Sequence, residues 1–215
     1  MKYAIFDFDG TIIDSMSMWR NISNSFLEEH GISPQDELKQ LNNATWVEDF
    51  TAIANKKLDI QIDRNYFQKW TSDFATKQYR DILQLKPTSY DFLEKLKSEN
   101  VKMCICSSTY KHMMMPALER LDLLKFFDFT CHCTDFGKEK DEPDIFLHCM
   151  EKLGAKNPND VVVFEDALYS ASTAKSAGFY VVGIYDKSEP KQQELKSICD
   201  QYITDYTQID FSLLP

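Results

Sequence analysis

The 215-residue sequence contains no apolar run approaching the roughly 20 residues a helix needs to cross a bilayer, so no membrane partner is expected. Its opening residues, MKYAIFDFDG, lack a signal-peptide apolar region and cleavage site and soon turn acidic. Positive charge is scarce: 24 Lys and Arg stand against 34 Asp and Glu, a formal net charge of −10. Such a surface repels phosphate backbones, and no basic stripe interrupts it, which argues against nucleic acid as a partner. An anionic small molecule would need a local positive centre, either a metal ion or one particular lysine. The sequence has no Gly-x4-Gly-Lys-Ser/Thr and no Gly-x-Gly-x-x-Gly. Nor does it have a Cys followed by Arg at the spacing of cysteine phosphatases. Cysteines number only six and are scattered, which predicts reduced thiols and a cytoplasmic protein rather than a disulfide framework. There is no internal repeat and no low-complexity tract.

What is present suits an ordinary globular chain. Hydrophobic residues make up 43%, with 15 Phe and 10 Tyr available for a core. Tyr3–Phe6 reads as a short first strand. From about Ser15 to Leu85 the spacing is helical. Met18, Ile22, Phe26 and Leu27 form an amphipathic stripe that stops at His30-Gly31, and Trp46–Ala54 and Tyr66–Tyr79 read alike. From Pro87 onward helices and strands alternate. The predicted strands are Val101–Cys106, Phe129–Cys133, Val161–Phe164, Tyr180–Ile184 and Tyr202–Ile203. The predicted helices are Ser89–Glu99, Met113–Leu121, Asp144–Leu153 and Ser170–Ala177. Continuously apolar strands separated by helices imply a parallel sheet covered on both faces. The expected fold is therefore a doubly wound, Rossmann-like α/β domain whose first strand is split from the rest by an all-helical insert.

Four polar clusters fall at the ends of these segments, where open parallel sheets bind ligands. The first is Asp7-Phe8-Asp9-Gly10-Thr11. Strand periodicity sends the Asp7 and Asp9 carboxylates one way and Phe6 and Phe8 the other. Two acids aimed into one crevice repel unless a cation or proton lies between them. Gly10 allows a sharp turn, and the Thr11 hydroxyl is expected to fix it. An Asp-Gly turn of no chemical consequence is the plain alternative. The second cluster is Ser107-Ser108-Thr109, where hydroxyls and free N–H groups can hold phosphate oxygens or simply cap the next helix. The third is Lys140, just before a helix, able to neutralise a nucleophile and a phosphate together. The fourth is Glu165-Asp166, paired hard-oxygen ligands suited to Mg²⁺.

In that order these clusters resemble the haloacid dehalogenase-like (HAD) superfamily, helical-cap subclass, similar to β-phosphoglucomutase and phosphoglycolate phosphatase-like enzymes. FDFDGTIIDS and VVVFEDALYSASTAKSAG are close matches to its first and last motifs. The resemblance covers nearly the whole chain and places a cap at residues 15–85, between core segments 1–14 and 86–215. It implies that Asp7 attacks phosphorus to form an aspartyl-phosphate, and that Asp9 protonates the leaving oxygen and then activates water. Ser107, Ser108 and Lys140 would bind phosphate. Mg²⁺ would be held by Asp7, the Asp9 backbone carbonyl and Asp166, with Glu165 as a further ligand. The family usually shows Gly-Lys-Pro-x-Pro-Asp, whereas this chain reads Gly137-Lys138-Glu139-Lys140-Asp141-Glu142-Pro143-Asp144. Counting forward from Gly137 selects Lys138. Counting back from Pro143-Asp144 selects Lys140, preferred because it keeps the distance to the following helix.

Mg²⁺-dependent hydrolysis of small-molecule phosphate monoesters is the activity this implies, with a small phosphorylated metabolite as partner and a monomer or weak homodimer as the assembly. Haloacid dehalogenases usually lack the second aspartate, so Asp9 argues against that reaction. β-Phosphoglucomutase-like members carry a His ten residues after that aspartate; here the position is Trp19, which leaves mutase as the alternative. A non-catalytic phosphate-binding protein on the same fold would have lost Asp7 or Asp9. Phosphonate hydrolysis would need a reactive cap lysine, and the adjacent Lys56 and Lys57 read as solvated. Trp19, Thr45 and Trp46 are candidates for the cap's substrate face or for plain packing. Cys131-His132-Cys133 lacks further ligands at zinc-like spacing and reads as core.

Overall fold

The computed structural model describes residues 1–34, 46–58 and 61–215. Six strands form one parallel sheet: β1 (Tyr3–Phe6), β2 (Lys102–Ser107), β3 (Phe129–His132), β4 (Val161–Glu165), β5 (Tyr180–Ile184) and β6 (Gln201–Ile203). Their order is β3-β2-β1-β4-β5-β6, so the chain builds outward from β1 on one side and then restarts beside it on the other. The junction of β1 and β4 is thus the topological switch point, where such sheets open a crevice beyond their carboxyl ends. Phe6 is in register with both Ile105 and Phe164. The residues that follow all three strands therefore emerge side by side.

The strands are apolar on both faces because both are covered. Ala4, Phe6, Ile105 and Phe164 belong to one buried cluster; Ile5, Cys104, Cys106, Val161 and Val163 belong to the cluster on the other face. The Cys104 and Cys106 alternation is therefore strand packing, and the six thiols form no disulfide. Among the described residues three helices, α1 (Met16–Glu29), α2 (Trp46–Leu58) and α3 (Arg64–Asp81), belong to the helical cap inserted after β1. The cap has an aromatic core of its own, in which Phe26, Phe50 and Phe67 are fully or almost fully buried. Where the chain enters and leaves the cap, the two crossings pair. Ile13 bridges Leu85, the Asp14 N–H donates to Gln84 O at 2.9 Å and the Lys86 N–H donates to Ile12 O at 2.9 Å.

The remaining helices are α4 (Ser89–Ser98), α5 (Lys111–Arg120), α6 (Cys133–Phe136), α7 (Asp144–Leu153), α8 (Leu168–Ser176) and α9 (Gln192–Ile198). The third strand is one residue shorter than the sequence predicts, because Cys133 leaves the sheet to open the short α6, which ends at Gly137 in the left-handed region. The second strand runs one residue further than expected and ends on Ser107 itself. Among the described residues no helix is long and apolar enough to cross a membrane.

Phe6 sits at the centre of the sheet, stacked on Phe164 with ring centroids 4.3 Å apart and edge-on to Phe127 at 6.0 Å. Phe6→Ala is expected to cost about 3–5 kcal/mol of unfolding free energy in denaturant titration, and Phe6→Leu, which leaves a smaller void, clearly less.

Candidate active site

The site is assembled by the loops leaving β1, β2 and β4, together with one lysine from the loop between α6 and α7. Asp7 follows β1 directly, and its N–H donates to Phe164 O at 2.9 Å, which pins it against β4. Gly10 has φ of +77°, and a Cβ built there would lie 2.1 Å from Asp166 Oδ2. Glycine is needed on both counts: it supplies the turn, and it lets the first loop approach the β4 carboxylate. The Thr11 hydroxyl does not fix this turn, contrary to expectation. It is buried without a hydrogen-bond partner, and the turn is closed by the backbone, with the Ile12 and Ile13 N–H groups both donating to Phe8 O.

Asp7, Glu165 and Asp166 are all buried, and one oxygen from each lies within 4.8 Å of the others. Lys140 enters this cluster as its cation. Its Nζ donates to Asp7 Oδ1 and, at 2.9 Å, to Glu165 Oε1, and the side chain is only 2% exposed. Burial works against the charge on Lys140, but the Asp7 and Glu165 carboxylates outweigh it and hold the ammonium well above its ordinary range. Asp7 is pushed up to about 8, chiefly by burial and further by the Glu165 and Asp9 charges, with Lys140 pulling the other way. Burial, followed by the charges of Glu165 and Asp7, lifts Asp166 well above the usual carboxylate range. Three acids share one contacting lysine in a dry place, so burial and mutual repulsion drive two of them toward the neutral form. Lys138 is elsewhere: its half-exposed ammonium pairs with Glu142 at 2.8 Å and Asp144 at 3.0 Å.

Both oxygens of Glu165 are engaged. Oε1 accepts from Lys140 and from the buried Ser170 Oγ at 2.5 Å, and Oε2 accepts from the Ala167 N–H at 2.9 Å. Asp9 lies on the cap side and accepts three hydroxyl donors: Ser15 Oγ at 2.5 Å and Tyr79 OH on Oδ1, and Thr109 Oγ1 at 2.7 Å on Oδ2. Burial and the nearby Asp9 charge push the Tyr79 phenol well above its ordinary range, so it keeps its proton and donates. The loop after β2 is braced from below. Ser107 Oγ accepts from the Thr109 N–H at 3.0 Å, and His132 Nδ1 meets Thr109 O at 3.0 Å. Burial lowers the His132 pKa, leaving a neutral ring whose Nδ1–H donates to that carbonyl. This is the use of the Cys-His-Cys segment. Ser108 is exposed, with its hydroxyl 3.4 Å from Cys133 Sγ.

A cleft of about 790 Å³ opens over these groups, walled by Asp7, Asp9 and Ser107 from the core and by Trp19, Arg64 and Lys69 from the cap. Trp19 reaches it from α1, whereas Thr45 and the side chain of Trp46 lie outside the described residues. Ser15, Tyr79 and Ser170 carried no site signal in the sequence, whereas Thr109 stood in the Ser107-Ser108-Thr109 cluster.

A family model for haloacid dehalogenase-like hydrolases matches residues 4–184. The chain belongs to the haloacid dehalogenase-like hydrolase family. It is 28% identical to a phosphorylated carbohydrates phosphatase of Thermotoga maritima over 178 residues, 83% of this chain and 82% of that protein. It is 27% identical to the beta-phosphoglucomutase of Bacillus subtilis over 197 residues, 86% of this chain and 83% of that one. The crystal structure of a beta-phosphoglucomutase from Clostridium difficile superposes with a TM-score of 0.74 at 20% identity, covering 99% of this chain and 94% of that one, a likeness of fold. The haloacid dehalogenase-like fold thus carries, among the described residues of this chain, a buried acid cluster contacted by the one ammonium of Lys140.

That ammonium makes a sharp prediction. Lys140→Met removes the partner of two buried carboxylates and is expected to cost about 3–5 kcal/mol in chemical denaturation at neutral pH. Lys138→Met breaks only exposed pairs and is expected to cost less than about 1 kcal/mol.

Proposed function

We propose that this protein is a Mg²⁺-dependent phosphatase of small phosphorylated metabolites that works through an aspartyl-phosphate on Asp7. The observation that carries the reading is the placement of Asp7: a buried carboxylate at the floor of a large cleft, contacted by Lys140 and flanked by Asp166, with a second carboxylate, Asp9, held two residues away. The phosphatase among the relatives supports it. The division of labour follows the segments read from the sequence, with residues 1–14 and 86–215 supplying the chemistry and residues 15–85 covering it.

The residues fit a divalent cation. Asp7, Glu165 and Asp166 bring three carboxyl groups to one contacting ammonium among the described residues, burial drives Asp7 and Asp166 upward toward their neutral forms, and a divalent cation would favour their charged forms. All the donors are hard oxygens, which suits Mg²⁺. Asp7, Asp166 and the Asp9 backbone carbonyl would hold the ion. Glu165, whose oxygens are engaged with Lys140, Ser170 and the Ala167 N–H, serves first to hold the lysine and only secondarily as a further ligand. When bound, Mg²⁺ neutralises carboxylate and phosphate oxygens and so lets two anions meet.

The chain's own groups do the rest. An Asp7 oxygen attacks phosphorus as the ester P–O bond breaks, and Asp9 gives its proton to the departing oxygen. Asp9 then takes a proton from water, whose oxygen displaces Asp7 from phosphorus and releases inorganic phosphate. Splitting one displacement into two easier ones is the gain from a covalent nucleophile. Lys140, with Ser107 and Ser108 at the adjacent strand end, steadies the equatorial phosphoryl oxygens. Because the active-site surroundings are already charged and fixed, little reorganisation accompanies the transfer.

Release of inorganic phosphate from a panel of metabolite phosphate esters tests the reading. Asp7→Asn is expected to abolish turnover by at least about 10³-fold, since the covalent route then has no nucleophile. Activity of the wild type that survives undiminished in excess chelator would refute the metal. The mutase alternative draws on the beta-phosphoglucomutase relatives. In the cleft, however, the imidazole among the described residues is His112, whose Nε2 is engaged with Ser72 at 2.9 Å. Incubation with β-glucose 1-phosphate is therefore expected to yield free phosphate; accumulation of glucose 6-phosphate would reverse that choice.

A further inference from the structure

We propose that Tyr79, on the last turn of the cap helix α3, is a positioning residue for Asp9, and that it is held to this task by Trp19 on the cleft wall. The inference rests on the acid/base role given to Asp9 above and extends it to two cap residues.

The argument begins with donor inventories. An indole N–H can only donate, so the 3.0 Å contact between Trp19 Nε1 and Tyr79 OH has one polarity: Trp19 donates and the phenol oxygen accepts. The phenol also meets the Thr109 hydroxyl, but its own hydrogen is directed at Asp9 Oδ1, the charged and stronger acceptor, in a short contact. Three residues far apart in sequence thus form a one-way chain, Trp19 to Tyr79 to Asp9. The chain is rigid. Tyr79 is fully buried, its ring lies 6.1 Å from that of Phe8 at an interplanar angle of 26°, and its carbonyl is gripped by Arg120 Nη2 at 3.1 Å. Phe8 is the residue between Asp7 and Asp9, so the same loop that carries the acids seats the ring that orients one of them.

The consequence for Asp9 is an asymmetry. Among the described residues Oδ1 accepts from both Ser15 and Tyr79, which fills its two lone pairs, while Oδ2 accepts from Thr109 alone. Oδ1 is an anchor; the open position on Oδ2 carries the proton handed to the leaving oxygen in the first step and takes the proton of water in the second. Without the phenol hydroxyl the carboxylate can rotate about its Cβ–Cγ bond, and the in-line geometry for handing a proton to the leaving group is lost some of the time. A misplacement of this kind slows proton transfer without weakening phosphate binding. Trp19 also borders the cleft, so a substrate that displaces its ring disturbs the anchor as well.

Leaving-group dependence distinguishes this role from a structural one. Phenyl phosphate and 4-nitrophenyl phosphate are nearly the same size, but phenoxide, with a conjugate acid near ~10 as in tyrosine, needs protonation far more than nitrophenoxide does. For Tyr79→Phe, kcat/KM on phenyl phosphate is expected to fall about tenfold, and on 4-nitrophenyl phosphate only about twofold, with KM little changed on either. Trp19→Phe should show the same inequality at smaller amplitude. If both esters lose the same factor in both variants, Tyr79 is merely structural and the proposal is wrong; it is equally wrong if phenyl phosphate turnover is unaffected. Asp9→Asn, measured alongside, separates the two claims. Should that variant keep its activity on phenyl phosphate, the acid role of Asp9 fails and takes this proposal with it. Should Asp9→Asn lose activity unequally while Tyr79→Phe does not, only the role of Tyr79 falls. In the Asp9→Asn background, removing the Tyr79 hydroxyl should add almost nothing.

Discussion

The site is governed by one electrostatic constraint: more carboxylates than cations have been buried in one place. One oxygen each of Asp7, Glu165 and Asp166 lies within 4.8 Å of the others, and among the described residues Lys140 is the ammonium in contact with Asp7 and Glu165. Each isolated charge in such a place would cost several kcal/mol of desolvation, and mutual repulsion adds to that cost. The protein manages part of it with Lys140, Ser170 and the Ala167 N–H, and leaves part unresolved on Asp7 and Asp166. A hydrophobic replacement would relieve the strain at once. That the strain is built into the switch point of the sheet, beneath a large cleft, is the signature of a site assembled for chemistry rather than for stability.

Topology explains how so many acids come together. Placing β1 between β2 and β4 puts three strand ends in one row, and each strand end carries polar residues that its apolar body excludes. Burial of the strands on both faces then removes water from beneath these residues. Gly10 completes the arrangement because a side chain there would collide with Asp166. The fold thus fixes the distance between the first and fourth clusters through backbone pairing, before any side-chain interaction is counted.

These rules decide what the sequence reveals. The parallel sheet and the helical insert were legible because buried strands read as apolar runs, and the helices of the insert as three-and-four spacing. Asp7, Ser107 and Glu165-Asp166 stood out because each ends or directly follows such a run, and Lys140 stood out through its distance to the helix beginning at Asp144. Boundaries were less legible. Cys133 looks like strand by composition but opens a helix, and the role expected of the Thr11 hydroxyl belongs to backbone N–H groups. Tyr79 and Ser170 could not be read at all. A tyrosine on an amphipathic stripe and a serine near a helix start have ordinary local explanations, and only tertiary structure aims their hydroxyls at Asp9 and Glu165.

Those two hydroxyls share a logic. Each completes the coordination of a carboxylate already committed elsewhere: Glu165 to Lys140, and Asp9 to the loop hydroxyls of Ser15 and Thr109. A carboxylate with every acceptor site but one filled is a directional tool rather than a diffuse charge. The core supplies the directing hydroxyl for Glu165, and the cap supplies one for Asp9. In the proposed division of roles, the groups around Asp7 all come from the core, while Asp9 also depends on Ser15, just before α1, and on α3 being in place. The Asp9 carboxylate is tied to cap placement by a hydrogen bond from Tyr79, so the helices that wall the cleft on the cap side also hold the carboxylate proposed as the acid.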